Sequence, residues 1–442
     1  MARQLFGTDG VRGRAGEFLS AELALRIARA AVGHVGIERP QVLIVRDTRE
    51  SGDMLEAAIA AGVAAGGGDA LLGGVLPTPA APLLVRRNGL ALGVVISASH
   101  NPYQDNGIKL FGPDGFKLHD DTEHEIEEEL GRPVEATARV GRIHRLHGAL
   151  EDYLRELHDR FRDLDLSARR ILLDCANGAT YQAAPEIFRR LGAHVDVLAD
   201  QPDGRNINAG CGSTHLENLT GSMSAGDHDV GFAFDGDGDR VLAVDRTGAV
   251  VDGDELIALA ALHLRETGRL PGSGVAVTVM TNYGFHQAMA DAGITVATTT
   301  VGDRYVLDEL RRRGWALGGE QSGHIIELGF SPSGDGIASA LLALEALGEG
   351  RLEERHAMEK LPQRLVNVRA QDRTALSGAM DHPSVQAAIA AEDSGLEGRG
   401  RVLVRASGTE PLIRVMVEAP SEQETDAVCT RLTQAVEDAL AG

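Results

Sequence analysis

Short apolar, β-branched runs alternate along this chain with longer stretches whose apolar positions recur at helical spacing. This alternation predicts α/β units built on mostly parallel strands. The clearest strand candidates are Gln41–Val45, Gly93–Ile96, Arg170–Leu173, Val230–Phe234, Val241–Val244 and Val275–Met280. The clearest helix candidates are Leu23–Val35, Met54–Ala65, Tyr181–Leu191 and Ala338–Leu347. The acidic segment Asp120–Leu130 is predicted to be a solvated helix face and not a metal site.

The C-terminal part of the chain has a different pattern. A strand-like run at Arg364–Arg369 precedes a helical stretch, and strands at Arg401–Arg405 and Ile413–Glu418 lead into a helix that begins at Ser421. This order predicts a compact α+β domain on an antiparallel sheet. The changes of pattern put domain boundaries at about residues 150, 255 and 365.

The 442 residues include 43 basic and 65 acidic side chains, which give a net charge of −22. Such a charge repels nucleic acid and anionic membranes, so neither is expected as a partner, and it should repel phosphorylated metabolites as well. The three cysteines follow no disulfide or zinc spacing, and neither a signal peptide nor a membrane-spanning run is evident. We therefore expect a soluble, cytoplasmic protein. Only three basic residues are lysines, which makes each of them a position of interest: Lys109, Lys117 and Lys360.

An Asp-rich loop, Phe234-Asp235-Gly236-Asp237-Gly238-Asp239-Arg240, follows one of the predicted strands. Carboxylates at every second position repel one another unless a cation lies among them. An EF-hand is excluded, because position 6 counted from Asp235 is Arg240 and position 12 is Arg246. Three carboxylates leave a divalent ion with open coordination positions, so the loop predicts Mg²⁺ that shares a phosphate oxygen and water. The alternative is an acidic surface turn.

A second loop, Ser97-Ala98-Ser99-His100-Asn101-Pro102, also follows a predicted strand. Ligands of open parallel sheets gather at the carboxyl ends of the strands, so Ser99 is a candidate nucleophile. The alternative is a turn in which the serines only cap backbone amides. The absence of a G-x-S-x-G motif disfavours a hydrolase triad. Lys109 follows ten residues after Ser99.

Two further loops are weak signals on their own. Gly318-Gly319-Glu320-Gln321-Ser322-Gly323-His324 contains groups that suit sugar hydroxyls and a histidine that can exchange protons near neutral pH. A hairpin turn explains this loop about as well. Arg405-Ala406-Ser407-Gly408-Thr409-Glu410-Pro411-Leu412-Ile413-Arg414 has two arginines around a Ser-Gly-Thr turn, which suits a phosphate group. Its alternative is a pair of ordinary surface charges.

Together and in this order, the four loops resemble those of the α-D-phosphohexomutase family. They match its phosphoserine, metal, sugar-binding and phosphate-binding loops. The resemblance runs from Phe6-Gly7-Thr8-Asp9-Gly10-Val11-Arg12-Gly13 to Arg414, which is nearly the whole chain. The opening, S-A-S-H-N-P and G-G-E-Q-S-G-H are similar to those of family members that act on glucosamine phosphates. The phosphomannomutase/phosphoglucomutase branch typically has Met where this chain has Gln321.

The resemblance implies an α/β fold, with three similar mixed α/β domains and a C-terminal α+β domain around a central cleft. The expected domains are 1–155 with the phosphoserine loop, 156–255 with the metal loop, 256–368 with the sugar-binding loop and 369–442 with the phosphate-binding loop. The implied activity is an isomerase that interconverts glucosamine 6-phosphate and glucosamine 1-phosphate, on the route to UDP-N-acetylglucosamine and the cell wall. A phosphomannomutase or phosphoglucomutase, a sugar-phosphate sensor and a Mg²⁺-dependent phosphatase stay open as alternatives, and so does a homodimer.

The resemblance also implies roles for the motif residues. Ser99 would be phosphorylated and would exchange its phosphoryl group with the sugar through a bound glucosamine 1,6-bisphosphate. One Mg²⁺ per active site would bind Asp235, Asp237, Asp239 and a phosphoserine oxygen. Lys109 would be the base, its pKa lowered by burial or by the neighbouring Arg12, and charge stabilisation alone is its alternative role. His100 would support the serine loop. The expected substrate-binding residues are Arg240, Glu320, Ser322, His324, Arg405, Ser407, Gly408, Thr409 and Arg414.

Overall fold

The computed structural model describes residues 5–7, 9–130, 139–407 and 411–441. Within these residues four sheets follow one another, three mixed and the last antiparallel. The predicted fold class, mixed α/β domains followed by an α+β domain, is confirmed. Among the helices of the described residues, none combines the length and the apolarity needed to cross a lipid bilayer.

The first sheet has six strands in the order β1-β5-β4-β2-β3-β6. Its strands are β1 Val11–Arg14, β2 Gln41–Arg46, β3 Asp69–Val75, β4 Leu92–Ile96, β5 Asp105–Phe111 and β6 Ile143–Arg145. The accompanying helices are α1 Ala21–Val35, α2 Gly52–Ala65, α3 Ala80–Asn88, α4 Asp120–Leu130 and α5 Ala149–Arg160. Strand β4 pairs in parallel with β2 and antiparallel with β5, and all five of its residues are buried. The chain that leaves β4 therefore starts from a rigid, buried point.

Local signals delimit the helices of this domain. At the start of α1, the Ser20 hydroxyl accepts a hydrogen bond from the Leu23 N–H at 3.2 Å. At its end, Gly36 has a φ of +67° and adopts the left-handed conformation. The buried side chains of α1 and α2 form one apolar core with those of β2 and β4. This core supports the sheet from which the serine loop emerges.

The second sheet has five strands in the order β11-β10-β9-β7-β8. Its strands are β7 Arg170–Asp174, β8 His194–Leu198, β9 Val230–Phe234, β10 Val241–Asp245 and β11 Val250–Val251, and its helices are α6 Ala183–Arg190 and α7 Glu217–Ala225. Strands β9 and β10 are antiparallel neighbours whose register pairs Phe234 with Val241. The Asp-rich loop is therefore the turn of a hairpin.

The third sheet has four strands in the order β13-β12-β14-β15. Its strands are β12 Gly274–Thr278, β13 Thr295–Thr299, β14 Leu317–Gly319 and β15 Ile325–Glu327. The helices of this region are α8 Gly253–Glu266, α9 Tyr283–Asp291, α10 Asp303–Arg313 and α11 Gly336–Leu347. The antiparallel pair of β14 and β15 makes residues 320–324 a second hairpin turn.

The last sheet has three antiparallel strands in the order β16-β18-β17. Its elements are β16 Gln363–Arg369, α12 Arg373–Met380, α13 Pro383–Leu396, β17 Arg401–Ala406, β18 Leu412–Glu418 and α14 Glu422–Ala441. The chain divides into two compact units, Met1–Val279 with Ala297–Arg355, and Met280–Val296 with His356–Gly442. Helix α9 belongs to the second unit, where buried Glu418 accepts hydrogen bonds from the Tyr283 N–H at 2.9 Å and Arg401 Nε at 2.7 Å.

The acidic segment is a helix with the predicted bounds, and most of its residues are exposed or partly exposed, but one side of it is buried. Glu123 and Ile126 are buried, and a carboxylate oxygen of Glu123 lies 3.3 Å from Arg304 Nη2. The Leu5 and Phe6 N–H groups donate to Glu127 at 2.7 and 2.6 Å. The segment is amphipathic, because apolar Ile126 and the partners of these carboxylates hold one side of it against the domain.

Candidate active site

The turn between β9 and β10 concentrates negative charge inside the first unit. Asp235, Asp237 and Asp239 are buried, and one carboxylate oxygen from each lies within 4.8 Å of the others. Burial and the charges of Asp239 and Asp237 raise the pKa of Asp235 well above its usual value. The turn therefore needs positive charge close by.

The surroundings provide part of that charge. Burial alone would raise the pKa of Asp239, but Lys109 and His324 lower it. Oδ1 of Asp237 and Oδ1 of Asp239 accept no hydrogen bond from any residue that the structure describes. Buried carboxylate oxygens without partners are costly unless a cation satisfies them, and a cluster made only of carboxylates suits a hard divalent ion. The three aspartates therefore fit a Mg²⁺ site.

Ser99 lies at the edge of this carboxylate cluster. Its Oγ donates a hydrogen bond to Asp235 Oδ2 at 2.6 Å, and the residue is 1% exposed. Its φ of +51° lies in the left-handed region that non-glycine residues seldom adopt. Gly236 permits the close approach of the two loops, because a Cβ at that position would lie 2.7 Å from the Ser99 carbonyl oxygen. The serine and metal loops thus form one site.

Lys109 extends from β5 into the same cluster. Its Nζ lies 2.9 Å from Asp237 Oδ2 and 3.1 Å from Asp9 Oδ2, and its side chain is buried. Burial lowers the pKa of Lys109, but Asp237 and Asp9 act more strongly together and raise it above the ordinary lysine value. The expected lowering of this pKa is therefore wrong for the protein without a bound cation, in which Lys109 is a charged ammonium.

Arg12 and His100 border the same region. The Arg12 guanidinium forms an ion pair with Asp9. His100 Nδ1 lies 3.3 Å from Ser99 Oγ. Burial lowers the pKa of His100, and the charges of Arg240 and Arg12 lower it further, so the ring is neutral near pH 7. A neutral imidazole can accept or donate a hydrogen bond at the serine hydroxyl.

The third predicted loop contacts the metal loop through its histidine. His324 and Arg240 form an antiparallel bridge, and His324 Nδ1 lies 3.7 Å from Asp239 Oδ2. His324 is 3% exposed, and its Nε2 accepts a hydrogen bond from the Gly334 N–H at 3.2 Å. The Glu320 carboxylate accepts a hydrogen bond from the Gly302 N–H at 3.0 Å, and Ser322 is exposed. His324 therefore supports the aspartate cluster in addition to any contact with sugar.

The fourth predicted loop lies in the second unit. Arg405 on β17 and Arg414 on β18 are cross-strand partners, and neither forms an ion pair with a carboxylate among the described residues. Burial and the charge of Arg414 lower the pKa of Arg405. Ser407 follows β17, whereas Gly408 and Thr409 lie outside the described residues. Two adjacent guanidiniums that have no carboxylate partner in the described part of the chain favour an anion such as phosphate.

Several polar residues of the site were missed by sequence reasoning. Asp9 pairs with Lys109 and also with Lys117, whose Nζ contacts Asp303 too. Thr78 Oγ1 donates to Asp237 Oδ2 at 2.6 Å. The sequence does draw attention to Lys117, because it is one of only three lysines in the chain. Asp9 lies in the opening motif of the chain, whereas Thr78 and Asp303 come from segments outside every motif that was recognised.

Family comparison covers nearly the entire chain. Four models of phosphoglucomutase/phosphomannomutase match it: alpha/beta/alpha domain I at residues 3–136, domain II at 151–248, domain III at 252–365 and the C-terminal domain at 365–435. The matches occur in the domain order I, II, III and C-terminal along the chain.

Individual relatives agree with these matches. A phosphoglucosamine mutase of Moorella thermoacetica is 50% identical over 441 residues, which are 97% of this chain and 98% of that protein. A phosphoglucomutase/phosphomannomutase family protein of Burkholderia thailandensis superposes with a TM-score of 0.82 at 22% identity and covers 98% of both chains. Aspergillus fumigatus N-acetylphosphoglucosamine mutase, solved with GlcNAc-6P and magnesium, has a TM-score of 0.68 at 21% identity over 99% of this chain and 96% of its own.

The aspartate cluster predicts that Mg²⁺ raises the unfolding temperature and that Asp237→Asn weakens this effect. Loss of one carboxylate should reduce the affinity for Mg²⁺ by about tenfold or more, because each acidic ligand offsets part of the ion's charge. Calorimetric titration and thermal unfolding at several Mg²⁺ concentrations measure the change. Asp121→Asn on the acidic helix α4 is the matched control and should bind Mg²⁺ like the unmodified protein. Equal affinities for all three proteins would contradict a metal site at the turn.

Proposed function

The chain belongs to the phosphoglucomutase/phosphomannomutase family, and from this premise we propose that it interconverts α-D-glucosamine 6-phosphate and α-D-glucosamine 1-phosphate. The observation that carries the proposal is the 2.6 Å hydrogen bond from buried Ser99 Oγ to a cluster of three carboxylates. A serine in this position can exchange a phosphoryl group beside a cation and away from bulk water.

The choice of glucosamine rests on likeness to relatives. The Moorella relative, identical at half of its positions, is named a phosphoglucosamine mutase. The Aspergillus enzyme, whose similarity carries only the fold, was solved with an N-acetylglucosamine phosphate and magnesium. Gln321, where the phosphomannomutase/phosphoglucomutase branch typically has Met, also favours the glucosamine branch. The product would serve synthesis of UDP-N-acetylglucosamine for the cell wall, in the cytoplasm.

In the proposed reaction, phosphorylated Ser99 transfers its phosphoryl group to the free hydroxyl of the sugar phosphate. The bond from Ser99 Oγ to phosphorus breaks as the bond from the sugar oxygen forms, which leaves a bound glucosamine 1,6-bisphosphate. The bisphosphate turns end over end, and Ser99 Oγ then takes the other phosphoryl group. When bound, Mg²⁺ held by Asp235, Asp237, Asp239 and a phosphoserine oxygen supplies charge that stabilises the transferring group.

Two basic residues assist the transfer in this proposal, one at the attacking hydroxyl and one at the phosphoryl group. Lys109 would have to be a neutral amine, a form that the neighbouring carboxylates disfavour until a cation binds to them, and it then accepts the hydroxyl proton as the new bond forms. The Arg12 charge beside it stabilises the equatorial phosphoryl oxygens. The carboxylates around Lys109 also belong to the proposed metal site. A cation bound there would neutralise part of their negative charge, and the pKa of Lys109 would then fall. His100, 3.3 Å from Ser99 Oγ, orients the serine without carrying charge.

The remaining site residues would hold the substrate. Glu320 and Ser322 bind sugar hydroxyls present in both orientations, and Arg240 and His324 bind near the reacting phosphoryl group. The phosphate that does not react is held by the fourth loop, through Arg405, Ser407, Gly408, Thr409 and Arg414. Each of these loops lies in one of the four proposed divisions of the chain, 1–155, 156–255, 256–368 and 369–442.

Substrate preference is the direct test of the proposed activity. Turnover of the 6-phosphates of glucosamine, glucose and mannose is compared in coupled assays with the same preparation. We expect kcat/KM to be highest for glucosamine 6-phosphate by about tenfold or more, because a site built for an amino group loses a polar contact with the other sugars. Faster turnover of glucose or mannose phosphate would assign the chain to the other branch. Steady release of inorganic phosphate in the same assay would indicate a phosphatase.

The phosphoserine mechanism predicts a covalent phosphoryl group on Ser99. Intact-mass measurement of the purified protein should find a subpopulation heavier by one phosphoryl group, and Ser99→Ala should lack it. Removing the group that forms the covalent intermediate should lower kcat by about a thousandfold or more. Ser394→Ala, an exposed serine of α13, is the control and should keep both the heavier species and the activity. Full activity of Ser99→Ala would refute the mechanism.

A substitution can distinguish the two candidate roles of Lys109, that of the base and that of a stabilising charge. Lys109→Arg keeps a positive charge but cannot give up a proton at neutral pH. If Lys109 is the base, this variant should lose roughly 10²- to 10⁴-fold in kcat. Lys360→Arg makes the same exchange at an exposed position and should keep the original kcat. Retention of most of the activity by Lys109→Arg would leave Lys109 only the role of stabilising charge.

A further inference from the structure

A fully buried arginine lies beneath the serine loop and has no role in the chemistry described so far. The side chain of Arg49 is 0% exposed. Its guanidinium has five N–H donors, and all five have acceptors. Nε donates to Asp47 Oδ2 at 2.8 Å. The other four donate to backbone carbonyl oxygens of the serine loop and the chain after it: Ser99, Asn101, Pro102 and Asp105.

Asp47 connects this arginine to the serine by a second route. Its carboxylate accepts hydrogen bonds from the Arg49 backbone N–H at 3.0 Å and from Ser97 Oγ at 2.5 Å. The Ser97 hydroxyl in turn accepts a hydrogen bond from the Ser99 N–H at 2.9 Å. Both the N–H and the carbonyl of Ser99 are therefore bound, directly or through Ser97, to the pair of Asp47 and Arg49.

The backbone conformation of Ser99 explains why such fixing is needed. A non-glycine residue with a φ of +51° is strained and persists only where the surroundings hold it. The Ser99 carbonyl oxygen accepts hydrogen bonds from Arg49 Nη2 at 2.7 Å and from Asn208 Nδ2 at 3.0 Å. In this conformation the serine Oγ points to Asp235.

We propose that Arg49, oriented by Asp47, is a positioning residue that holds Ser99 in its left-handed conformation with Oγ directed at the aspartate cluster. This inference rests on the proposed phosphoserine function. Arg49 does not touch the reacting atoms and acts through the backbone of the serine loop. A phosphoryl acceptor must be aligned closely with the incoming group, so small displacements of the serine slow the transfer.

A comparison within the same chain separates this arrangement from an ordinary internal ion pair. Arg160 is also largely buried and pairs with Glu327 at 2.8 Å and Glu345 at 3.2 Å. Within the described part of the chain, its side-chain hydrogen bonds all go to these carboxylates. Four of the five donors of Arg49 instead bind the backbone of residues 99–105. A lysine in place of Arg49 keeps the charge but has three donors on one atom and cannot reach this set of carbonyls.

The experiment follows the loading of Ser99 separately from overall turnover. Four proteins are compared: the unmodified chain, Arg49→Lys, Ser97→Ala and the control Arg160→Lys. Each is freed of phosphate and mixed with Mg²⁺ and glucose 1,6-bisphosphate, and phosphorylation is followed by intact mass. Steady-state kcat and KM, the unfolding temperature and its rise with Mg²⁺ are measured on the same preparations.

We expect Arg49→Lys to be phosphorylated roughly 10- to 100-fold more slowly than the unmodified chain, with kcat lowered in step and KM changed by less than about threefold. Its unfolding temperature should still rise with Mg²⁺, because the aspartates belong to a separate hairpin. Ser97→Ala should be slowed in the same direction. Arg160→Lys should be phosphorylated within about twofold of the unmodified rate even where its unfolding temperature falls.

An unmodified phosphorylation rate in Arg49→Lys would overturn the inference and leave the proposed function standing. If that variant does not fold, Ser97→Ala decides, and an unmodified rate there overturns it equally. Slowing of Arg160→Lys to the same extent as Arg49→Lys would also overturn it, because the effect would then follow from lost stability. If the unmodified chain neither accepts the phosphoryl group nor converts glucosamine phosphate, the proposed function fails, and the inference that rests on it fails too.

Discussion

Three carboxylates enclosed in a single hairpin turn are the constraint on which the rest of the site depends. Their mutual repulsion in a buried setting would destabilise the fold if nothing opposed it. Lys109 from the first sheet opposes it, and so does His324 from the third. Two carboxylate oxygens still have no hydrogen-bond donor among the described residues. The first three sheets thus each contribute to one charge balance, which a bound divalent cation would complete.

The serine loop has a different requirement from the aspartate turn. Its backbone must be held in one position, whereas the aspartate turn needs its charge balanced. Regular strands cannot present a serine in the left-handed conformation, so the loop after β4 relies on polar groups buried below it. Arg49 and Asp47 lie on the loop that follows β2, the strand next to β4 in the sheet. Asn208 reaches the same carbonyl oxygen from the second domain. A loop held from both sides can keep a strained residue that a free loop would relax.

Local patterns were sufficient to predict much of this architecture. All six strand candidates coincide with strands to within two residues, and the aspartates could be grouped because they share one short loop. The pKa of Lys109 could not be predicted in the same way, because one carboxylate that raises it, that of Asp237, is 128 residues away in the chain. Arg49 was missed for a related reason. Four of its five hydrogen bonds go to backbone carbonyls, which leave no trace in the types of the neighbouring side chains.

The net charge of −22 is a poor guide to what the chain binds, because the binding groups are arranged locally. Arg405 and Arg414 face each other on adjacent strands without a carboxylate partner among the described residues, in a chain with 65 acidic side chains. The hairpin turn has the opposite imbalance, with carboxylate oxygens that accept no hydrogen bond from a described residue. An anion suits the first arrangement and a cation the second, and the proposed ligands, a sugar phosphate and Mg²⁺, would provide one of each. Charges left unbalanced in the protein alone are the ones that its proposed ligands neutralise.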